Sequence, residues 1–370
     1  MEWLAVVVIV LAWAHGSVVL PAGQQPSSAK ISLFPFVRDG RVGFIDASGR
    51  EVIPPRFSNA GDMAHFNDGL APVFEAGHGS GYIDTTGQFV IGPTDEWGEG
   101  RPFHEDVAAV LLWGKEGSLN RPAWIDRSGK VIFIGGSEGS FFSDGLMPMP
   151  SEGKWGFVDK TFHFVIPPQF DWAYEFSDGR AEVSLNHKSG FIDKTGKMVI
   201  PAKYDMVWPF HEGLARVRLD FAKGTAMTVE GEQTVYRYRY GFIDVNGNEL
   251  ITPRFEEATY FSEGYALAAQ ADSRKLGVID KQGNFVALPK FDEAGEFSEG
   301  VASACIRQKC GYISPLGNWV IRPTLSNAEK FSNGVARVAW GTGDYGYINK
   351  AGVAIWRSTD KRSSDSERKK

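Results

Sequence analysis

A carboxylate returns along this 370-residue chain at Asp46, Asp84, Asp126, Asp159, Asp193, Asp244 and Asp280, with Ser314 and Asn349 at the matching places. Such a group can exchange protons, hold a cation or cap a turn. Most copies open a stretch such as "DASG", "DKTG" or "DVNG". Asp, Asn and Ser are the residues that accept hydrogen bonds from turn backbone, and glycine supplies the positive φ that ends such turns. The turn reading therefore outweighs catalysis. The fourth copy, "DKTF", puts Phe162 where its sisters carry glycine and so predicts a strained or altered turn. A second acidic set is Asp68, Asp144, Asp178, Glu212, Glu263 and Glu299, each between "F-S"-like residues and a glycine, with Asn333 at the last such place. Equivalent positions in stacked units make a row that would attract a basic peptide, a cation or a polyamine. The plainer alternative is a set of solvated turn residues. Neighbouring acids would lie about 14 Å apart if strands stack in series, too far to chelate one ion between two units.

Other candidates are weaker. The seven histidines show no paired-ligand spacing, so the sequence implies no zinc site, no cofactor and no catalytic residue. "GGSEG" places Ser137 in a nucleophile-like pattern, without the strand, turn and helix that would expose it. "VYRYRY" carries Tyr236, Arg237, Tyr238 and Arg239; alternating rings and cations suit stacking on a sugar, a polyanion or a nucleotide, and strand periodicity explains them equally well. Cys305 and Cys310 flank a hairpin-like loop and are a candidate disulfide, conditional on export; two small buried thiols are the alternative.

A net charge of −6 argues against a phosphate-backbone binder, so nucleic acid is not an expected partner. Residues 1–22 read as an export signal or an uncleaved signal-anchor: an apolar run from Trp3 to Ala14 is followed by small residues, although Glu2 precedes it and no Lys or Arg does. Residues 23–30 read as a polar linker and 358–370 as a disordered charged tail. The expected location is periplasmic, secreted or cell-surface, with membrane attachment only through an uncleaved N-terminus.

The rest, 31–357, is a tandem array. Its copies start at Gly43, Gly81, Ala123, Gly156, Gly190, Gly241, Gly277, Gly311 and Gly346, a period near 35 residues, and are called here the first to the ninth repeat. "GFIDASGREVIPPRF", "GFIDKTGKMVIPAKY" and "GFIDVNGNELITPRF" are the clearest, and "KWGFVDKTFHFVIPPQF" supplies the one "KWG". A second anchor keeps step with them, as in "FSDGRAEV", "FHEGLARV" and "FSEGVASA". On these residues the chain resembles the WG (KWG) repeat family of bacterial proteins. The resemblance implies an all-β repeat domain with a binding or scaffolding role, and it carries over no catalytic residue.

Each unit reads as three short strands, with prolines such as Pro54, Pro167, Pro201, Pro253 and Pro323 stopping the third. The spacing of Phe170, Ala173 and Phe176, repeated at Phe291, Ala294 and Phe297, suits one helical or 3₁₀ turn dropping two rings into the core. Three-stranded units cannot bury both faces alone. The expected fold is thus all-β, about nine short three-stranded repeats forming a propeller-like toroid or an open superhelical solenoid. The expected function is an exported, non-enzymatic scaffold binding a protein or a cell-envelope glycan. Alternatives are a hydrolase-like enzyme with its site in the insertions at 110–122 or 220–240, and a structural envelope spacer.

Overall fold

The computed structural model describes residues 32–58, 64–98, 100–114, 120–137, 139–228, 231–270 and 273–359, and of 221–228 and 231–237 the backbone alone. The signal, the linker and nearly all of the tail lie outside these residues. All regular structure here is β, in eight antiparallel sheets. The first sheet has six strands because the first two repeats are joined by the pair Ser58↔Phe74. The third and fourth repeats form three-stranded sheets, and the fifth to ninth form sheets of four. The expected strand number is therefore corrected upward for five of the repeats, and eight sheets carry the nine repeats.

The fourth strand comes from the segment expected to be a helical turn. Trp172–Ser177 is a strand that pairs with Arg180–Leu185, and its register slips between Ala173↔Val183 and Phe176↔Ala181. That bulge adds one residue, so Ala173 and Phe176 face the same side at a spacing of three that imitates a helix. Phe170, which closes the preceding sheet, joins them in one cluster. The prolines also act otherwise than expected. Phe164–Phe170 runs through Pro167 and Pro168, and the pairings Trp155↔Phe170 and Phe157↔Ile166 leave both in a bulge of the edge strand. A residue without an N–H costs little there, because one side of an edge strand has no ladder to feed.

Buried residues fall into nine clusters, each between one repeat and the next. Phe170, Ala173, Phe176 and Val183 join the fourth and fifth repeats; Phe291, Phe297 and Ile313 join the seventh and eighth. The ninth cluster closes the ring, setting Phe36 and Ile45 of the first repeat against Val335, Tyr347 and Trp356 of the last. The Tyr347 hydroxyl donates to the Pro35 carbonyl at 2.7 Å, and the Phe36 and Trp356 rings lie 5.2 Å apart. The array is thus a closed propeller-like ring and not an open solenoid. First strands of successive sheets approach one another, as Trp172–Ser177 and Met206–His211 do, so they line the inside; the fourth strands form the rim.

The repeated aspartates cap turns. Asp159 Oδ1 accepts from the Thr161 N–H at 2.8 Å, the Thr161 hydroxyl at 2.6 Å and the His163 N–H at 3.2 Å. Asp46, Asp84, Asp126 and Asp193 do the same with their own neighbours. Phe162 sits at φ 62°, in the left-handed region its sister glycines occupy. Its ring stacks on Phe133 at 4.3 Å. Phe133 stands where other repeats carry an isoleucine against the turn glycine, as Ile166 lies against Gly196. The strain at Phe162 is offset by a ring pair found in this one interface.

Candidate functional site

Because strands alternate in direction, the acid–glycine turns and the aspartate turns open on one end of the ring, and the hairpins between second and third strands open on the other. The second acidic set lies on the turn end, each acid at φ between 48° and 56°. Most of these carboxylates reach into the next repeat. Asp144 accepts from the Gly179 N–H at 3.0 Å, Glu212 from Gly264 at 2.9 Å, Glu263 from Gly300 at 2.7 Å and Glu299 from Gly334 at 3.0 Å. The preceding serine acts in parallel: Ser143 Oγ donates to the Phe176 carbonyl, and Ser298 Oγ to that of Phe331. A cation beside the next repeat's turn-capping residue completes the clasp, with Glu212–Lys281 at 3.1 Å, Glu299–Lys350 at 3.7 Å, Asp144–Lys194 at 3.9 Å and Asp68–Arg127 at 3.8 Å. Where the cation position holds Val245 or Pro315, Asp178 and Glu263 face no such lysine. "F-S-acid-G" thus encodes a core ring, a donor, an acceptor and a left-handed turn, all spent on holding neighbours together. Glu105 belongs to the same set, accepting from Gly145 at 3.2 Å and pairing with Lys160 at 3.4 Å, which its degenerate "FHED" context concealed.

The insertion at 220–240 is a long hairpin, Leu214–Thr228 against Gly231–Asp244. The side chains of Tyr236 and Arg237 lie outside the described residues. Tyr238 is 37% exposed and contacts Tyr240 at 5.6 Å, while Arg239 pairs with Glu256 at 3.4 Å, so rings and cations take opposite faces. Cys305 and Cys310 stand opposite each other in register and are joined by a disulfide. Of the other insertion, 115–119 lie outside the described residues; Ser137 lies in a loop beside no helix.

What breaks the repeat pattern gathers elsewhere. In the strand that follows each acid–glycine turn, one residue lies between two buried ones that face the preceding repeat; it is Pro72, Ala109, Pro148 or Leu267 in some units, but Glu182, Arg216 and Arg337 in others. Glu182 and Arg216 therefore face the following repeat. Burial pushes the Glu182 carboxyl up to about 8. Burial, then Glu182, raise the Tyr174 phenol. Arg216 is held among three rings, 4.0 Å from Trp208, 4.8 Å from Tyr260 and 5.2 Å from Tyr240, and donates to the Ala258 carbonyl. Toward the hairpin end the cluster continues as exposed rings: Trp172 and Tyr174 are 47% and 45% exposed, and Trp172 meets Trp155 at 4.6 Å. Sequence reasoning missed Glu182 and Arg216; the signal available was departure from the repeat at a position otherwise small or apolar.

The raised carboxyl gives a test. From about pH 4.5 to 8 the unfolded chain ionises Glu182 while the folded chain keeps it protonated, so this residue lowers stability as pH rises through that window. Glu182→Gln is expected to match the natural protein in urea unfolding at pH 4 and to exceed it by about 1–3 kcal/mol at pH 8, where solvent reaching a group not fully buried softens the full linkage effect. A variant with the natural pH dependence would show that the carboxyl is ionised when folded.

Ring and motif together define a closed, propeller-like repeat protein. The family model described as WG containing repeat matches residues 43–77, 81–115, 155–188, 190–220, 240–272, 277–310 and 311–339. The chain belongs to that family. The repeats starting at Ala123 and Gly346 were read from the sequence alone and escape the model as starts of their own. No curated protein matches the chain. Among solved structures, a eukaryotic initiation factor is similar at a TM-score of 0.59 and 12% identity, covering 88% of this chain and 96% of its own, a likeness of fold alone. A computationally designed protein, Ika8, matches at 0.45 and 12% identity over 80% of this chain and 97% of its own. BamB from Moraxella catarrhalis matches at 0.40 and 11% identity over 78% and 92%.

Proposed function

We propose that this protein is a non-enzymatic scaffold that binds a protein partner on the hairpin end of its ring, outside the cytoplasm. One observation carries the reading. Residues that repeat are engaged in turns, clasps and the layers between repeats, whereas three exposed rings that do not repeat, Trp172, Tyr174 and Tyr238, lie in the adjoining fifth and sixth repeats, with Trp172 resting on the partly exposed Trp155. Trp, Tyr and Arg are the residue types that dominate protein-binding hot spots, because they bury large area at small entropic cost. The apolar run near the N-terminus supports export. A cell-envelope glycan would use the same rings by stacking, without need of the arginines packed among them. The test is capture from envelope fractions by the immobilised full chain and by a Trp172→Ala/Tyr174→Ala/Tyr238→Ala variant that melts normally. A protein retained by the natural chain and lost by the variant is the expected result; equal retention overturns the assignment of this face, and retention of glycan alone overturns the partner class.

A further inference from the structure

A cavity of about 420 Å³ opens across the sixth to ninth repeats, lined by Arg216, Tyr260, Glu296, Ser303, Glu329 and Lys330 among others. Its charges are unevenly paired. Glu296 lies 4.0 Å from Lys330, and Glu329 lies 3.3 Å from Arg337. Arg216 makes no ion pair among the described residues, and its Nε is buried with no hydrogen-bond partner. A guanidinium has five N–H donors in a planar fork suited to a carboxylate. Three ring faces compensate part of its charge but accept none of its in-plane hydrogen bonds. A half-buried guanidinium with an unbonded N–H, on which Glu296 and Glu257 act only from beyond ion-pair distance, is open to a carboxylate ligand.

We propose that this cavity receives a carboxylate carried on an acidic peptide segment of the partner, with Arg216 as its ligand and Ser303 as a further donor. The proposal rests on the scaffold reading and names the chemistry recognised there. An unbonded guanidinium N–H calls for a singly charged acceptor; a doubly charged phosphate would be repelled more strongly by Glu296 and Glu329 at the same rim. The rings of Trp208, Tyr240 and Tyr260 hold the guanidinium in place before binding, so little side-chain freedom is lost when the anion arrives.

The test is fluorescence polarisation at low salt with labelled hexaglutamate and hexaglutamine on the full chain, the Arg216→Met variant and the Arg216→Lys variant. The expected result is binding of hexaglutamate alone, at least tenfold weaker in Arg216→Met, intermediate in Arg216→Lys, and competed by millimolar acetate. Equal binding of the two peptides, equal binding by Arg216→Met, or competition by inorganic phosphate but not acetate overturns the proposal. Should Arg216→Met melt below assay temperature, the Nε–H resonance of Arg216 in the natural chain decides: a shift on adding acetate supports the pocket, and none overturns it. Partner capture that Arg216→Met leaves intact refutes the pocket and spares the scaffold.

Discussion

Phe297→Ala is expected to lower the unfolding free energy by about 3–5 kcal/mol, read as a fall in the urea midpoint. Phe297 is 1% exposed and lies in the layer between the seventh and eighth repeats, against Tyr265 at 5.7 Å and among Leu267, Leu276 and Phe291. Its equivalents Phe103, Phe176, Phe210, Phe261 and Phe331 are all buried to within 2%. The ring is therefore structural material used once per interface. The cost is large because the strand carrying Phe297 is clamped on both sides: Ser298 holds the Phe331 carbonyl, and Glu263 holds the Gly300 N–H. The site cannot collapse onto the cavity that a lost ring leaves. As a control, Phe164→Ala removes a ring 39% exposed on an edge strand and should stay within about 0.5 kcal/mol. An unchanged midpoint for Phe297→Ala would show that the layers between repeats do not hold the ring together.

Much of this was legible in the sequence because repetition averages out accident. Nine copies of a start and eight of an anchor fixed the period, the capping aspartates and the buried phenylalanines, and "DKTF" announced its left-handed Phe162. What misled was local spacing with two causes. A β-bulge between Ala173 and Phe176 yields the three-residue spacing of a helical turn, and only the partner strand Arg180–Leu185 distinguishes them. Prolines bar a central strand, so from sequence Pro167 and Pro168 resemble a stop, whereas in the fold they mark an edge. Closure depends on small rotations summed over all repeats, which no single unit encodes. The clasps were hidden for another reason: an acid in one repeat and a lysine in the next are 50 to 70 positions apart, as Glu212 and Lys281 are, and they read as solvated charge until the repeats are stacked. The cluster around Glu182 and Arg216 escaped because attention to what repeats passes over what does not.

Gly156→Ala is expected to destabilise by about 3 kcal/mol, whereas Trp155→Ala beside it should cost about 1 kcal/mol, both by urea unfolding. The pair that marks the family thus divides into one essential letter and one replaceable letter. A Cβ on Gly156 would stand 2.4 Å from the Ile166 carbonyl oxygen, 2.7 Å from the Pro168 nitrogen and 2.8 Å from the Pro167 carbonyl carbon. All three are backbone atoms of the bulged edge strand, which crosses here because its two extra residues arch over the neighbouring strand Lys154–Val158. Gly190, Gly241 and Gly277 meet the equivalent carbonyl at 2.4 to 2.5 Å. Trp155, by contrast, is partly exposed and rests on Trp172, and sister repeats place Val42, Ser80, Ser189 or Leu276 there. The chain contains its own control. The third repeat carries Ala123 at the glycine position, and its edge strand is the four-residue Val131–Ile134, followed by Gly135 and Gly136, where the fourth repeat runs seven residues from Phe164 to Phe170. In the third repeat the methyl group of Ala123 thus stands where no arched edge strand crosses, although the ninth repeat shows that an edge strand, Ala354–Arg357, is also short at a glycine, Gly346. Gly156→Ala should shorten that edge strand in the same way, seen as faster hydrogen exchange at Gln169 and Phe170, and protection there unchanged from the natural chain would refute the steric account.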